Sequence, residues 1–211
     1  MRGRDSHTDI PVPIPLGRLA KPFDDPNYIY EIKHDGFRAL AVIEDGLCRF
    51  YSRSKHRLTG FRDLADAIAQ DLKGENAILD GELAATDEDG RTVFAALMQR
   101  SKEIHYLAFD LLWLNGRDLR PLPLLARKDR LKRLLPARSP HMLYVDHVRA
   151  TGTELYQVVC QLDLEGIVAK RADSSYEDKR NHPHWIKIKN QTYSQKEGRG
   201  DLFGHAGLRG A

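Results

Sequence analysis

The chain has 211 residues, of which 41% are apolar and 30% charged, a balance ordinary for a globular fold and long enough for one domain with a substantial core. Its net charge of +3 is too small to argue for a nucleic-acid partner by itself, no apolar run reaches the roughly 18 residues of a membrane span, and the polar start Met1-Arg2-Gly3-Arg4-Asp5 carries no secretory apolar segment. Two distant cysteines, Cys48 and Cys160, suit a reducing compartment and hence a cytoplasmic protein with no membrane partner.

Prolines at 11, 13, 15 and 22 mark the N-terminal stretch as an extended arm, set at residues 1–17. A strand is expected at 28–32, with Lys33 at its end. Strands at 38–43 and 47–52 flank Glu44-Asp45-Gly46, a hairpin turn. A helix follows from Phe61, Leu64, Ile68 and Leu72. The strand at 77–84 and a short run at Thr92-Val93 flank Asp87-Glu88-Asp89-Gly90 as a second hairpin. The apolar run at 105–112 reads as a buried central strand closed by Asn115-Gly116. Residues 124–135 form an amphipathic helix whose polar face carries a basic cluster. Residues 151–162 form another, opened by the capping box Thr151-x-x-Glu154. Two last strands lie at 166–170 and 185–189, and residues 191–211, with five glycines, read as a flexible tail. Strands and helices without a strict alternation favour an α+β fold built on antiparallel sheets with flanking helices.

Charge is unevenly distributed. Between Arg120 and Arg138 seven bases face one acid, Asp129, and from Lys179 onward seven more face only Glu197 and Asp201. Such runs read either as solvated faces or as a surface that tracks phosphates.

The candidate site residues each have an ordinary reading when taken singly. Lys33 reads as a snorkelling surface lysine, Phe109 as plain core, and Lys187 and Lys189 as the wet face of a strand. Glu82 reads as an exposed edge acid and Glu165 as a helix-terminal one. Jointly they read differently, because each apolar strand carries a charge at or beside its core run, and buried charges must face one another or a ligand. Lys33, Arg38, Arg53, Lys187 and Lys189 with Glu82 and Glu165 around one cleft would suit a nucleoside triphosphate with a divalent metal.

Six ordered motifs carry a resemblance. They are Glu31-Ile32-Lys33-His34-Asp35-Gly36-Phe37-Arg38, Ser52-Arg53, Leu79-Asp80-Gly81-Glu82-Leu83, Tyr106-Leu107-Ala108-Phe109-Asp110-Leu111-Leu112, Glu165-Gly166-Ile167-Val168-Ala169-Lys170 and Trp185-Ile186-Lys187-Ile188-Lys189. In this order the sequence resembles the adenylation (nucleotidyltransferase) domain of ATP-dependent DNA ligases, closest to the ligase domains of bacterial end-joining enzymes, over residues 18–190. The resemblance implies that Lys33 is the nucleophile that takes AMP from ATP, a role that needs its neutral amine, and that Lys187 and Lys189 supply positive charge beside it and hold the α-phosphate. It implies Mg²⁺ or Mn²⁺ on Glu165 and Glu82, ribose contacts from Glu82 and Arg38, and Arg53 on the sugar-phosphate side. Phe109 would stack on adenine, Glu31 would read its amine, Asp35 would support the lysine and the metal, and Lys170 would be a further phosphate contact. The implied partner is nicked or broken double-stranded DNA. The family's OB-fold barrel has no counterpart in this reading, so a protein partner would supply it or a DNA clamp. A non-sealing ATP or nicked-end binding subunit, and an RNA ligase or capping-type enzyme, are the alternatives to a sealing ligase.

Overall fold

A computed structural model describes residues 10–88, 90–99, 103–177 and 184–196. Residues 197–211 and 1–9, and with them most of the expected tail and half of the expected arm, lie outside the described residues. The strands run β1 Gly17–Leu19, β2 Tyr28–Ile32, β3 Phe37–Glu44, β4 Leu47–Ser52, β5 Ala77–Ala85, β6 Ile104–Leu114, β7 Arg117–Asp118, β8 Met142–Tyr144, β9 Val148–Arg149, β10 Gly166–Arg171 and β11 Trp185–Lys189. The helices are α1 Arg62–Asp71, α2 Phe94–Gln99, α3 Leu124–Leu134 and α4 Gly152–Gln161. No described helix is long and apolar enough to cross a membrane.

Two sheets form, one ordered β1-β11-β10-β2-β9 and the other β4-β3-β5-β6-β7 with β8 beside β6. Pairing is antiparallel except where β1 meets β11 and β8 meets β6. Alternation along the strands decides what each face does. Tyr30, Ile167, Ala169 and Ile188 point to one side of the first sheet, where Val159 and Leu155 of α4 cover them. On the second sheet Ala39, Ala41, Ile43 and Leu79 pack against Leu64, Ile68 and Leu72 of α1 and its end. The remaining faces meet: Ile29, Val168 and Trp185 from the first sheet share a cluster with Leu40, Val42, Ile78 and Leu112 from the second. The candidate site residues sit on those meeting faces.

The expected hairpin at 44–46 forms with Asp45 and Gly46 at φ 51° and 76°, the left-handed values a two-residue turn requires. The second expected hairpin reduces to a single bridge between Thr86 and Thr92. The expected capping box at Thr151 makes no side-chain cap; Asp24 Oδ1 accepts from the Thr153 amide at 2.8 Å instead, which ties α4 to the distant segment before β2. The arm is more ordered than its prolines suggest, since Ile14 is buried in the inter-sheet cluster and residues 17–19 pair with β11.

The basic helix departs furthest from the sequence reading. Arg127 and Lys128 are 0% and 1% exposed, so they belong neither to a solvated face nor to a phosphate-tracking one. Arg127 donates from Nε and Nη2 to the two oxygens of Asp110 on β6, each at 2.8 Å. Its Nη1 donates to the carbonyls of Leu122 and Ser174. Only Arg130, Lys132 and Arg133 remain on the wet face, the last paired with Asp129.

Removing one partner of a buried pair leaves the other charge uncompensated. Arg127→Met is therefore expected to cost about 3–5 kcal/mol of unfolding free energy in urea, while Arg130→Ser stays within about 0.5 kcal/mol. Equal losses for the two variants would contradict the burial of Arg127.

Candidate active site

The strand register brings the motifs together. Val168 pairs with Glu31 on one side and Lys187 on the other, so the three stand in one row on the inward face of the first sheet. Across the cleft, Arg38 pairs with Glu82 and Leu40 with Asp80. Phe109 falls at a register shift, because Asp80 pairs with Asp110 while Gly81 pairs with Ala108. That bulge re-aims the ring toward the cleft. Three motif glycines, Gly36, Gly81 and Gly166, are demanded by close approach. A Cβ on Gly36 would stand 2.2 Å from the Leu83 carbonyl oxygen, and Gly166, at φ +149°, would place one 2.3 Å from that of Ile188.

The cleft divides into two adjoining chambers that share Leu16, Lys33, Arg38 and Glu82. The larger, about 440 Å³, is ringed by Lys33, Arg53, Lys187 and Lys189 with Glu82, Glu165 and Asp35. The smaller is a slot of about 50 Å³ between Phe109, Trp185, Val168 and Ile32, with Glu31, His34 and Lys170 at its walls. The first has the charge for phosphates; the second has the flat apolar walls for a nucleobase.

Lys33 stands just past the end of β2, fixed by its amide donating to the Gly166 carbonyl at 2.9 Å. Its Nζ lies 2.5 Å from Glu165 Oε2, and Lys189 Nζ lies 3.1 Å from Oε1. Burial would raise the Glu165 carboxyl, but these two lysines outweigh it and hold it below its ordinary value. Lys187 is pushed down by burial and by the charges of Lys189, Lys33 and Arg53. Glu82 is the opposite case: burial, offset only partly by Lys33 and Arg38, lifts it to about 8.

Arg38 lines both chambers, but its guanidinium is committed to Asp80. It grips Asp80 through Nε at 3.1 Å and Nη2 at 2.7 Å, and Tyr176 donates to the same carboxylate at 2.7 Å. Lys170 lines the smaller slot and not the larger chamber: it pairs with Glu31 at 2.5 Å, and its Nζ sits 4.1 Å and 3.8 Å over the rings of Phe109 and Trp185. The ammonium thus fills the slot, which is why the space left holds little more than a water or two. Glu31 accepts from Lys128 at its other oxygen, 2.5 Å away.

Asp35 is held from two sides. Its amide donates to Thr92 Oγ1 at 3.1 Å, and the Tyr193 hydroxyl donates to its Oδ2 at 3.1 Å. Tyr193 belongs to the expected flexible tail, yet residues 190–196 are tied down. The Asn190 amide donates to the Glu165 carbonyl, the Ser194 amide to Asp163, and Gln195 bonds with Phe94 and Thr92. This strap joins the end of β11 to the second sheet beside the loop that carries Lys33 and Asp35. Sequence reasoning missed Lys128, His34, Trp185 and Tyr193 as neighbours of the site. The first was hidden inside a basic run, and His34 and Trp185 stood in quoted motifs without a role of their own. Among the described residues, no three His, Cys, Asp or Glu side chains cluster as a ready-made metal site.

Residues 17–189 match the family described as ATP dependent DNA ligase domain. The multifunctional non-homologous end joining protein LigD of Pseudomonas aeruginosa is 36% identical over 170 residues, which cover 78% of this chain and 20% of that protein. The SPbeta prophage-derived DNA ligase-like protein LigB of Bacillus subtilis is 32% identical over 191 residues, covering 87% of this chain and 68% of that one. A solved structure of mycobacterial DNA ligase D complexed with ATP and MES superposes with a TM-score of 0.73 at 27% identity, covering 84% of this chain and 60% of that one. The chain therefore spans about a fifth of the LigD relative and about two thirds of the LigB one.

Glu82 gives a pH dependence whose sign can be worked out. Its folded value of about 8 lies above the ordinary 4.5, so between them the native state holds a proton the unfolded chain lacks, and stability falls as pH rises. His34 opposes this only at lower pH, since burial drops it to about 4 from 6.5. From pH 6.5 to 8, urea unfolding is expected to show falling stability, and Glu82→Gln is expected to flatten that slope. An unchanged slope in the variant would remove Glu82 as its source.

Proposed function

The chain belongs to the ATP-dependent DNA ligase domain family, and from that premise we propose that Lys33 is the nucleophile of a lysyl-AMP step that precedes the sealing of nicked or broken double-stranded DNA. The observation that supports it best is the position of the Lys33 amine. It is fixed at the end of a strand, on the border between a base-shaped slot and a chamber ringed by Arg53, Lys187 and Lys189. A nucleotide with its base between Phe109 and Val168 and its phosphates in the larger chamber would present its α-phosphorus to that amine. The lone pair of the neutral amine forms the N–P bond, the bond to pyrophosphate breaks, and the lysine proton leaves to solvent or to a neighbouring base. AMP then passes to a 5′-phosphate, and a 3′-hydroxyl displaces it. Arg53, Lys187 and Lys189 neutralise the charge that spreads over the phosphate oxygens, which is the main work in phosphoryl-type transfer.

The donor set fits a divalent cation. Mg²⁺ and Mn²⁺ take oxygen ligands and are commonly held by one or two carboxylates together with substrate phosphates, and Glu82, a carboxyl lifted by burial that Lys33 and Arg38 only partly offset, stands with Glu165 on the wall of the phosphate chamber. Such an ion would screen the α-phosphate and compete for the carboxylate that now holds the Lys33 ammonium. Residues 18–190 act on this reading as one adenylation domain, and a further domain or a partner supplies an OB-fold or DNA clamp. We place this repair chemistry in the cytoplasm near the nucleoid, where the free cysteines Cys48 and Cys160 stay reduced.

Incubation with α-radiolabelled ATP and Mg²⁺ followed by denaturing electrophoresis is expected to label the parent covalently and Lys33→Ala not at all. Glu165→Ala should need far more Mg²⁺ and lose on the order of a hundredfold in rate. A chase with nicked duplex separates a sealing enzyme from a binding subunit, since only the former releases AMP. Label retained on Lys33→Ala would sink the assignment.

The exposed bases of α3 generate a second expectation. If Arg130, Lys132 and Arg133 neutralise backbone phosphates, log affinity for nicked duplex falls with log salt. Replacing all three with Ser then flattens the slope by about 0.9 for each phosphate that no longer has a basic partner, with labelling of Lys33 unaffected. An unchanged slope returns them to the solvated face.

A further inference from the structure

Lys128 is a fully buried helix lysine, and it spends all of its hydrogen-bonding capacity on the blind end of the base slot. An ammonium has three donors, and three acceptors surround this one: Glu31 Oε1 at 2.5 Å, the Val145 carbonyl at 2.9 Å and the Phe109 carbonyl at 3.4 Å. The ring of Tyr144 lies 4.7 Å from the charge. Glu31 stands on the first sheet and Phe109 on the second, so this one side chain bridges the two at the floor of the slot. We propose that Lys128 sets the nucleobase specificity of the site, by fixing Glu31 as an acceptor-only carboxylate facing the slot. The inference rests on the nucleotide reading given above and deepens it.

The two oxygens of Glu31 are held differently. Oε1 is bound by Lys128, which is anchored by backbone on two further sides. Oε2 faces Lys170, 2.5 Å away, and that ammonium occupies the slot itself, over Phe109 and Trp185. Burial pushes Lys170 down to about 8, so its charge is costly where it stands, whereas Lys128 is held above its ordinary value because Glu31 outweighs burial. When a base enters, Lys170 is the group that gives way, and Oε2 turns to the base while Lys128 keeps the carboxylate charged. A charged carboxylate accepts from the amino group of a 6-aminopurine and meets the keto oxygen of a 6-oxopurine lone pair to lone pair. A protonated carboxyl would tolerate either, because it can donate. His34, also on the slot wall, is kept neutral by burial and does not replace the missing charge, and Lys33, Arg38 and Glu82 stand where the slot opens into the larger chamber. Sites that hydrogen-bond a specific substrate group discriminate strongly against analogues that mismatch it. Lys128 is thus a positioning residue, acting on substrate through Glu31.

The test is single-turnover labelling of the full chain with α-radiolabelled ATP and, separately, α-radiolabelled GTP in Mg²⁺, for the parent, Lys128→Met, Lys128→Arg, Glu31→Gln and the double variant Lys128→Met with Glu31→Gln. Lys128→Met is expected to lower the ATP-to-GTP preference at least tenfold, through the apparent nucleotide affinity rather than the maximal rate, and Lys128→Arg to restore most of it. The double variant should match Glu31→Gln alone, because Lys128 acts only through that carboxylate. It carries neither charge, so it remains informative if Lys128→Met fails to fold. A folded Lys128→Met with the parental preference would overturn the proposal. So would a fall in maximal rate equal for both nucleotides, or a double variant whose preference differs from that of Glu31→Gln. A parent labelled by neither nucleotide would overturn the reading beneath it as well, whereas a parent labelled by ATP confines the failure to Lys128.

Discussion

A carboxylate taken out of water needs a cation beside it, and this requirement organises the cleft. Four buried acids stand in or behind it with their partners: Asp80 with Arg38, Asp110 with Arg127, Glu31 with Lys128 and Lys170, and Glu165 with Lys33 and Lys189. Exposure separates what these pairs can do. Arg127 and Lys128 are sealed, and their pairs hold α3 against the sheets. Lys33 and Lys189, 19% and 37% exposed, stand at the rim where a phosphate can replace Glu165 as their partner. The same kind of ion pair is scaffold at the floor and a holding state at the mouth. Glu82 departs from the pattern, its carboxyl raised by burial that Lys33 and Arg38 only partly offset.

Backbone devices place these charges. The shift in register between β5 and β6 turns Phe109 out of the ladder. Gly36 and Gly166 let the loop after Lys33 and the start of β10 lie against neighbouring carbonyls where a Cβ would collide. The strap at 190–196 then locks Asp35 through Tyr193 and carries the end of β11 over to the second sheet. Lys33, Glu165, Lys187 and Lys189 all belong to the first sheet or its ends, while Arg53, Glu82 and Phe109 belong to the second. The spacing between the sheets therefore sets the distance from Lys33 to the ring of Phe109.

Much of this could be read from the residues alone. The hairpin at 44–46, the central strand at 105–112 and the alternation of Ile186 and Ile188 with Lys187 and Lys189 follow from turn chemistry and period-two patterning, and the six motifs assemble around one cleft as their order implied. What could not be read was which charges are buried. In residues 127–133 the pattern Arg-Lys-Asp-Arg-Leu-Lys-Arg looks like a polar face, because the acids that bury Arg127 and Lys128 lie 17 and 97 residues away. The place of Lys170 in the slot, the cap from Asp24 and the docking of Tyr193 were hidden for the same reason: each depends on a partner that only the tertiary fold brings near.

If one cleft holds a base against Phe109 and sets the α-phosphorus in front of Lys33, a bound nucleotide must take up both positions at once. A crystal structure of the chain with a non-hydrolysable α,β-methylene ATP analogue and Mg²⁺ would reveal whether it does. The expected complex has the base in the slot with Lys170 displaced from the Phe109 ring. Its Lys33 amine is released from Glu165 and stands about 3–3.5 Å from the α-phosphorus, in line with the leaving group. A nucleotide bound outside the slot, or one in the slot whose α-phosphate meets only Lys187 and Lys189 while Lys33 stays on Glu165, would rule that geometry out.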